Sequence, residues 1–187
     1  MVKKNACVFI SGAGSNLKSL INYSRSYNFP INIKLVISNK KNASGLIYAK
    51  KFNIPSLLIN TKDKFSEFKA LNELRKKKIT LICLAGYMKI LSDSFIKSYN
   101  GKIINIHPSL LPKFKGTNTF KKILKNKEKV TGCTVHFVNE KLDSGKIIIK
   151  KKFDLTENEN EITLKQKTQK LEYRAFSEAI NKLYMMS

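Results

Sequence analysis

Cysteine, arginine and acidic residues are all scarce in this chain, and each scarcity removes a class of function. The three cysteines, Cys7, Cys83 and Cys133, lie far apart in apolar runs and form no Cys-x-x-Cys pair. A disulfide framework and a thiolate zinc site therefore both lack the residues they need. Buried free thiols in a reducing, cytoplasmic compartment are expected. Long hydrophobic runs are missing too: the stretches at 81–85 and 147–149 fall far below the ~18 residues of a membrane span. The apolar stretch after Lys3 and Lys4 is cut off by Ser11-Gly12-Ala13-Gly14, too early for a secretory signal. It reads as a first strand.

Only 13 residues are acidic against 36 basic ones, a net charge of 36 − 13 = +23. Of the 36, however, 33 are lysine and 3 arginine, whereas phosphate and base recognition leans on arginine's bidentate fork. Lysine, isoleucine and asparagine make up 72 of the 187 residues, a compositional drift rather than an electrostatic footprint. The densest runs, Lys76-Lys77-Lys78 and Lys150-Lys151-Lys152, are not interleaved with aromatics as a base-stacking platform would be. A solvated lysine surface without a specific nucleic-acid or membrane partner is expected. With 42% hydrophobic residues the chain can fill a core, burying roughly 70% of the unfolded surface at this length. Intrinsic disorder is excluded, and residues 1–187 are expected to form a single domain.

Short β-branched runs alternate with longer segments of helical spacing, a βαβ rhythm. Strands are expected at 6–10, 31–38, 56–59, 79–84 and 102–106, with helices at 15–27, 43–52, 64–77 and 92–99. Such alternation implies an α/β fold with a doubly wound, mostly parallel sheet, since parallel neighbours need a crossover. Beyond residue 107 the pattern changes to a proline-punctuated loop, a short helix near 117–126, strands at 132–138 and 146–154, and a closing helix over 162–184. This part reads as an antiparallel C-terminal extension. Ligands of such sheets collect at the carboxyl ends of the strands.

Two motifs lie at those ends. Ser11-Gly12-Ala13-Gly14-Ser15-Asn16 joins the first strand to the first helix. Its small residues let backbone N–H groups approach an anion at a helix N-terminus, and Ser15 can cap the helix. Leu17 stands where the dinucleotide fingerprint needs a third glycine, and no Gly-Lys-Ser/Thr follows. A phosphate site and a ligand-free turn both remain open on this motif alone. The second motif is Asn105-Ile106-His107-Pro108-Ser109-Leu110-Leu111-Pro112. On a strand Asn105 and His107 share a face, which presents an amide donor beside an imidazole. An amide N–H can hold a developing oxyanion while an imidazolium supplies a proton, a pairing suited to acyl transfer. His136, in Thr134-Val135-His136-Phe137-Val138, reads instead as a core histidine. Asp143, in Leu142-Asp143-Ser144-Gly145, is either ordinary turn chemistry or a partner of His107. As a partner it is expected to raise the imidazole pKa by roughly 1–3 units.

Together with Leu84-Ala85-Gly86-Tyr87-Met88-Lys89-Ile90-Leu91 and the stretch from Val135 to Asp143, these motifs resemble the phosphoribosylglycinamide formyltransferase family, folate-dependent enzymes of purine synthesis. The resemblance covers essentially the whole chain and implies a Rossmann-like formyltransferase fold. It implies 10-formyltetrahydrofolate as cosubstrate and glycinamide ribonucleotide as acceptor, with direct transfer through a tetrahedral intermediate and no metal. Asn105 then stabilises the oxyanion, His107 acts as the charged acid and Asp143 holds it protonated. Gly12, Ala13, Gly14, Ser15 and Asn16 take the ribonucleotide phosphate. Glu172, within Gln169-Lys170-Leu171-Glu172, reaches the ribose hydroxyls. Met88, Lys89, Ile90 and Leu91, with Asn105 and with Asn139, Glu140, Lys141, Leu142 and Asp143, form the folate pocket, and Lys64 stands near the folate's glutamate tail. A monomer or weak homodimer is expected.

The chain departs from the family pattern in three places. Ala13 replaces an asparagine of the phosphate loop, and Asn118 and Tyr173 stand where histidines are usual. Other readings are methionyl-tRNA formyltransferase, which normally adds an RNA-contacting domain, formyltetrahydrofolate hydrolase, which usually adds a regulatory one, and a basic nucleic-acid-binding α/β module.

Overall fold

In the computed structural model, which describes residues 2–60 and 63–185, the chain begins with β1 (Lys4–Ile10), in which Ala6, Cys7, Val8, Phe9 and Ile10 are all fully buried. An unbroken apolar run of this kind is what a strand covered on both faces requires. It is followed by α1 (Ser15–Ser24), β2 (Ile31–Ser38), α2 (Leu46–Lys51), β3 (Ser56–Leu58), α3 (Lys64–Lys76), β4 (Ile79–Leu84), α4 (Asp93–Ser98), β5 (Lys102–His107), α5 (Thr119–Lys125), β6 (Val130–Phe137), β7 (Ile147–Asp154) and α6 (Glu161–Met185). The seven strands run in the order β3-β2-β1-β4-β5-β6-β7. β1 pairs in parallel with β2 and β4, β2 in parallel with β3, and β6 antiparallel with β7. The chain is thus an α/β protein with a mostly parallel sheet and an antiparallel C-terminal pair. Two compact units can be distinguished, Met1–Ile104 and Asn105–Ser187.

In the first unit the helices cover the sheet through apolar stripes. α1 buries Leu17, Leu20 and Ile21, spaced as one helical face. α3 buries Ala70, Leu71 and Leu74, and the Asp63 carboxylate caps it by accepting Phe65 N–H at 2.9 Å. Phe9 meets Tyr87 and Phe95 edge-to-face, at 5.3 and 6.1 Å between ring centroids. Such pairs add about 0.5–1.5 kcal/mol each beyond burial. α1 stops at Ser24, earlier than periodicity suggests, and Lys3 Nζ donates to the carbonyls of Ser24 and Ser26 at 2.7 and 2.5 Å. A cation on the last carbonyls is a favourable helix end. α2 is likewise shorter than expected, since residues 43–45 are spent on a turn in which Leu46 N–H donates to Ala43 O.

In the second unit α6 packs on β6 and β7 with Leu164, Ala175, Phe176, Ala179 and Ile180 buried. Cys7, Cys83 and Cys133 are free and buried, and burial pushes their thiol pKa values up, that of Cys133 to about 12. Among the described residues no helix is long and apolar enough to cross a membrane.

Candidate active site

β5 extends one residue further than its β-branched run, so it ends on His107 and keeps Asn105 and His107 on one face. His107 is 5% exposed. Its Nε2 lies 2.9 Å from the carbonyl of Phe114, which can only accept, so Nε2 carries a proton. Its Nδ1 lies 3.3 Å from Asp143 Oδ2. The chain after β5 is held for this purpose: Thr134 Oγ1 donates to Ser109 O at 2.7 Å and accepts Leu111 N–H at 3.0 Å, while Ser109 Oγ donates to Lys113 O at 2.6 Å.

Asp143 reaches the histidine from the β6–β7 turn with φ +46°, a left-handed conformation that aspartate tolerates better than most residues. Asn139 organises that turn, its Oδ1 accepting Lys141 N–H at 3.2 Å and Ser144 O–H at 3.0 Å. Gly116 N–H donates to Asp143 Oδ2 at 2.8 Å. Turn chemistry and partnership with His107, the two readings of Asp143, therefore coexist in one residue.

His136 is buried, as a core histidine would be, but it belongs to this cluster. Its Nδ1–H donates to Phe137 O at 2.8 Å, which leaves Nε2 to accept Asn105 Nδ2–H at 3.2 Å. The same Nε2 lies 3.6 Å from Asp143 Oδ1. Its position two residues from Thr134 on one strand face was the available signal, and it points to the site only once β5 and β6 are known neighbours.

Electrostatics also differ from expectation. Burial lowers the His107 pKa, and this outweighs the raising effects of Asp143 and the Phe114 carbonyl, so the net value lies below the ordinary one. His136 and Lys122 add to the lowering. Asp143 does favour the charged imidazole, but the raised pKa expected for His107 does not result. For Asp143 itself, burial acts upward while His136, Gly116 N–H and His107 act downward, and the net value is below the carboxylate norm.

The other predicted residues divide between the two units. In the first, Gly14 caps α1 at φ +69° and Ser15 is the first helical residue, which corrects the expectation that Ser15 caps it. No side-chain cap covers that helix start. Gly12 and Ala13 are exposed, and Asn16 is buried. Met88, Lys89 and Ile90 are exposed on the irregular segment after β4, and Leu91 is buried behind them. Lys64 opens α3, and its side chain falls outside those described. In the second unit Glu140, Lys141 and Leu142 are exposed around Asp143. Glu172 is buried on α6 and near enough to Cys133 to raise its pKa, while Gln169 and Leu171 are half-buried and Lys170 is exposed. Asn118 is exposed at φ +57° ahead of α5, a conformation asparagine adopts readily.

The formyl transferase family matches residues 4–180. The trifunctional purine biosynthetic protein adenosine-3 of Gallus gallus is 43% identical over 95% of this chain, which spans only 18% of that protein's length. The phosphoribosylglycinamide formyltransferase of Haemophilus influenzae is 39% identical over 92% of this chain and 84% of its own. The crystal structure of the phosphoribosylglycinamide formyltransferase from Brucella melitensis superposes with a TM-score of 0.91 at 38% identity, covering 97% of this chain and 95% of that one. With a family match across nearly the whole sequence and relatives of this identity matched over most of their own length, the chain belongs to the phosphoribosylglycinamide formyltransferase family of formyl transferases.

Proposed function

We propose that this chain transfers the formyl group of 10-formyltetrahydrofolate to the amine of glycinamide ribonucleotide, and that residues 1–187 work as one formyltransferase domain. The observation that carries this reading is the buried cluster in which an amide, an imidazole and a carboxylate stand within 3.3 Å of their partners: Asn105 on His136, His107 on Asp143. The amine nitrogen attacks the formyl carbon, and the carbonyl π electrons move onto oxygen. The adduct collapses by breaking the bond to the folate nitrogen. One proton leaves the amine and one arrives on the folate nitrogen, so formylglycinamide ribonucleotide and tetrahydrofolate form without a net proton change.

Asn105 has two amide N–H bonds, and with one donated to His136 the other is available to the oxyanion. His107 is the proton carrier through Nε2–H, which leaves the Phe114 carbonyl to reach the folate nitrogen while Nδ1–H stays on Asp143. Its neutral form keeps the Nε2 proton and leaves Nδ1 bare against an anionic carboxylate; protonation turns that contact into a charge-assisted hydrogen bond. Burial opposes the charge, and the negative tetrahedral adduct favours it, so the acid form is most favoured at the moment it is used. Gly12, Ala13, Gly14, Ser15 and Asn16 hold the phosphate through backbone N–H groups, and Glu172 the ribose. Met88, Lys89, Ile90 and Leu91 in the first unit and Asn139, Glu140, Lys141 and Leu142 in the second are the residues assigned to the folate in this proposal, and Lys64 is the residue assigned to its glutamate tail. The reaction needs no nucleic-acid or membrane partner and takes place in the cytoplasm.

Mixing the protein with both substrates and following tetrahydrofolate release by absorbance, beside a control without acceptor, tests the reading. Release is expected only when the ribonucleotide is present. Release without it identifies a hydrolase, and no release in either case overturns the proposal.

A further inference from the structure

Ser11 stands just ahead of the phosphate loop, and its side chain is buried at 3% exposure. The hydroxyl donates to Asn39 Oδ1 at 2.5 Å and accepts Met88 N–H at 2.8 Å. The Ser11 backbone N–H donates to Gly86 O at 3.2 Å. One residue therefore joins the turns that follow β1 and β2 to the irregular segment that follows β4. The direction of each bond is fixed. Asn39 Oδ1 can only accept, so the hydroxyl hydrogen points at it and an oxygen lone pair is left for Met88.

On its other side the phosphate loop is anchored. Gly45 N–H donates to Gly12 O at 2.9 Å, and the backbones of Gly14 and Gly45 approach so closely that a Cβ on Gly14 would stand 2.6 Å from Gly45 Cα. Met88 and Ile90 beyond the hub are 63% and 70% exposed. Their segment lies outside the regular strands, and the Ser11 hydroxyl holds its Met88 amide.

We propose that Ser11 is a positioning residue that couples the two substrate loops, so that ribonucleotide and folate bind with positive cooperativity. The proposal rests on the formyl-transfer reading above. A phosphate held by residues 12–16 restricts the motion left to an already anchored loop, Ser11 Oγ is restrained with it, and the Met88 segment that it holds is restrained before the folate arrives. The ordering cost is met by the first ligand and not again by the second. Since the link is one neutral hydrogen bond, the coupling is about 2- to 12-fold.

Calorimetric titration of glycinamide ribonucleotide, with and without saturating tetrahydrofolate, measures the coupling directly in wild type, Ser11→Ala and Asn39→Ala. Thermal melts confirm folding, and amide hydrogen exchange at Met88 reports the bond itself. In wild type, tetrahydrofolate is expected to tighten ribonucleotide binding, and ribonucleotide alone to slow exchange at Met88. In Ser11→Ala both ligands still bind singly, the affinity ratio falls to unity and the Met88 response disappears. Asn39→Ala, which frees the hydroxyl to rotate, lowers the ratio partway and carries the test if Ser11→Ala does not fold. A wild-type ratio of one, or a folded variant that keeps the full ratio, overturns the proposal. Wild type that binds neither ligand overturns the formyl-transfer reading, and the coupling with it.

Discussion

An ionised carboxylate raises the pKa of a neighbouring imidazole, and Asp143 acts on His107 in that direction although burial takes the net value lower. Removing the charge while keeping the shape, as in Asp143→Asn, leaves burial unopposed by that carboxylate. The His107 titration followed by NMR is expected to move to still lower pH. The stability consequence has a definite sign. A histidine whose folded pKa is depressed takes up its proton more readily when unfolded, so it costs stability as pH falls through the ordinary histidine range near 6.5. That cost is expected to grow in Asp143→Asn, measured as a steeper loss of melting temperature between about pH 7 and 5.5 than in wild type. Asn105→Ala tests the oxyanion donor separately. It is expected to reduce turnover about 10²–10³-fold, about 2.7–4 kcal/mol, with binding of the ribonucleotide largely kept. Turnover and substrate titrations on the same preparation separate the two effects.

The start of α6 carries an electrostatic device of its own. Asn160 Oδ1 accepts the N–H groups of Ile162 and Thr163 at 2.9 and 3.0 Å, and Asn160 N–H donates to Thr163 Oγ1 at 3.0 Å, a reciprocal cap. Glu159 sits beneath it, accepting from Lys167 Nζ, from Thr163 Oγ1 at 2.6 Å and from Thr156 Oγ1 at 3.1 Å. Chiefly because of Lys167, and next of Thr163, its pKa is lowered from 4.5 to about 2. A depressed carboxylate stabilises the fold above its unfolded pKa, and this contribution is lost as pH falls through the folded value. Glu159→Gln is therefore expected to melt at lower temperature than wild type at neutral pH. The gap closes between pH 4.5 and about 2, and circular dichroism melts across that range measure it.

Elements differ in how far their residues disclose them. β2 and β4 run over the residues that hydrophobic patterning assigns, 31–38 and 79–84, because each is rich in β-branched and apolar residues and carries a continuous buried apolar stretch, Leu35 to Ile37 in β2 and Leu81 to Leu84 in β4. Helix ends are less visible, since Lys3 on the last carbonyls of α1 comes from a distant part of the sequence. Asn105 and His107 could be paired from strand alternation alone, within one element. His136 could not: alternation places it on a buried face, and only the adjacency of β5 and β6 turns that face toward Asn105 and Asp143. Asp143 was readable as a turn residue and as a candidate partner, and deciding between these required the distance to His107. Ser11 was visible as part of a motif, but its hydroxyl's partners come from two other turns.

At the scale of the whole molecule the dominant quantity is the charge of +23. Some lysines are spent locally, as in Lys151 on Glu178 at 2.6 Å and Lys76 on Glu73 at 3.0 Å. With only 13 acidic residues for 36 basic ones, most cannot be. The surplus makes a positive field in which an anion arrives more often than diffusion alone would bring it. Both proposed substrates are anions, one through a phosphate and the other through its glutamate carboxylates. Steering of this kind raises the encounter rate and leaves the chemistry of the bound complex alone. It also fades as the screening length shrinks from about 30 Å at 0.01 M salt to about 8 Å at 0.15 M. Hence kcat/KM is expected to fall as salt rises while kcat changes little, and steady-state assays over that range measure both. A labelled DNA duplex added to the same solutions distinguishes a general field from a dedicated site. A field alone gives binding with a Kd of roughly 10⁻⁶ M or weaker at physiological salt, a steep salt slope and equal affinity for unrelated sequences. Tighter binding that discriminates between sequences would require a recognition surface, and the 3 arginines of the chain supply little of the bidentate chemistry such a surface uses.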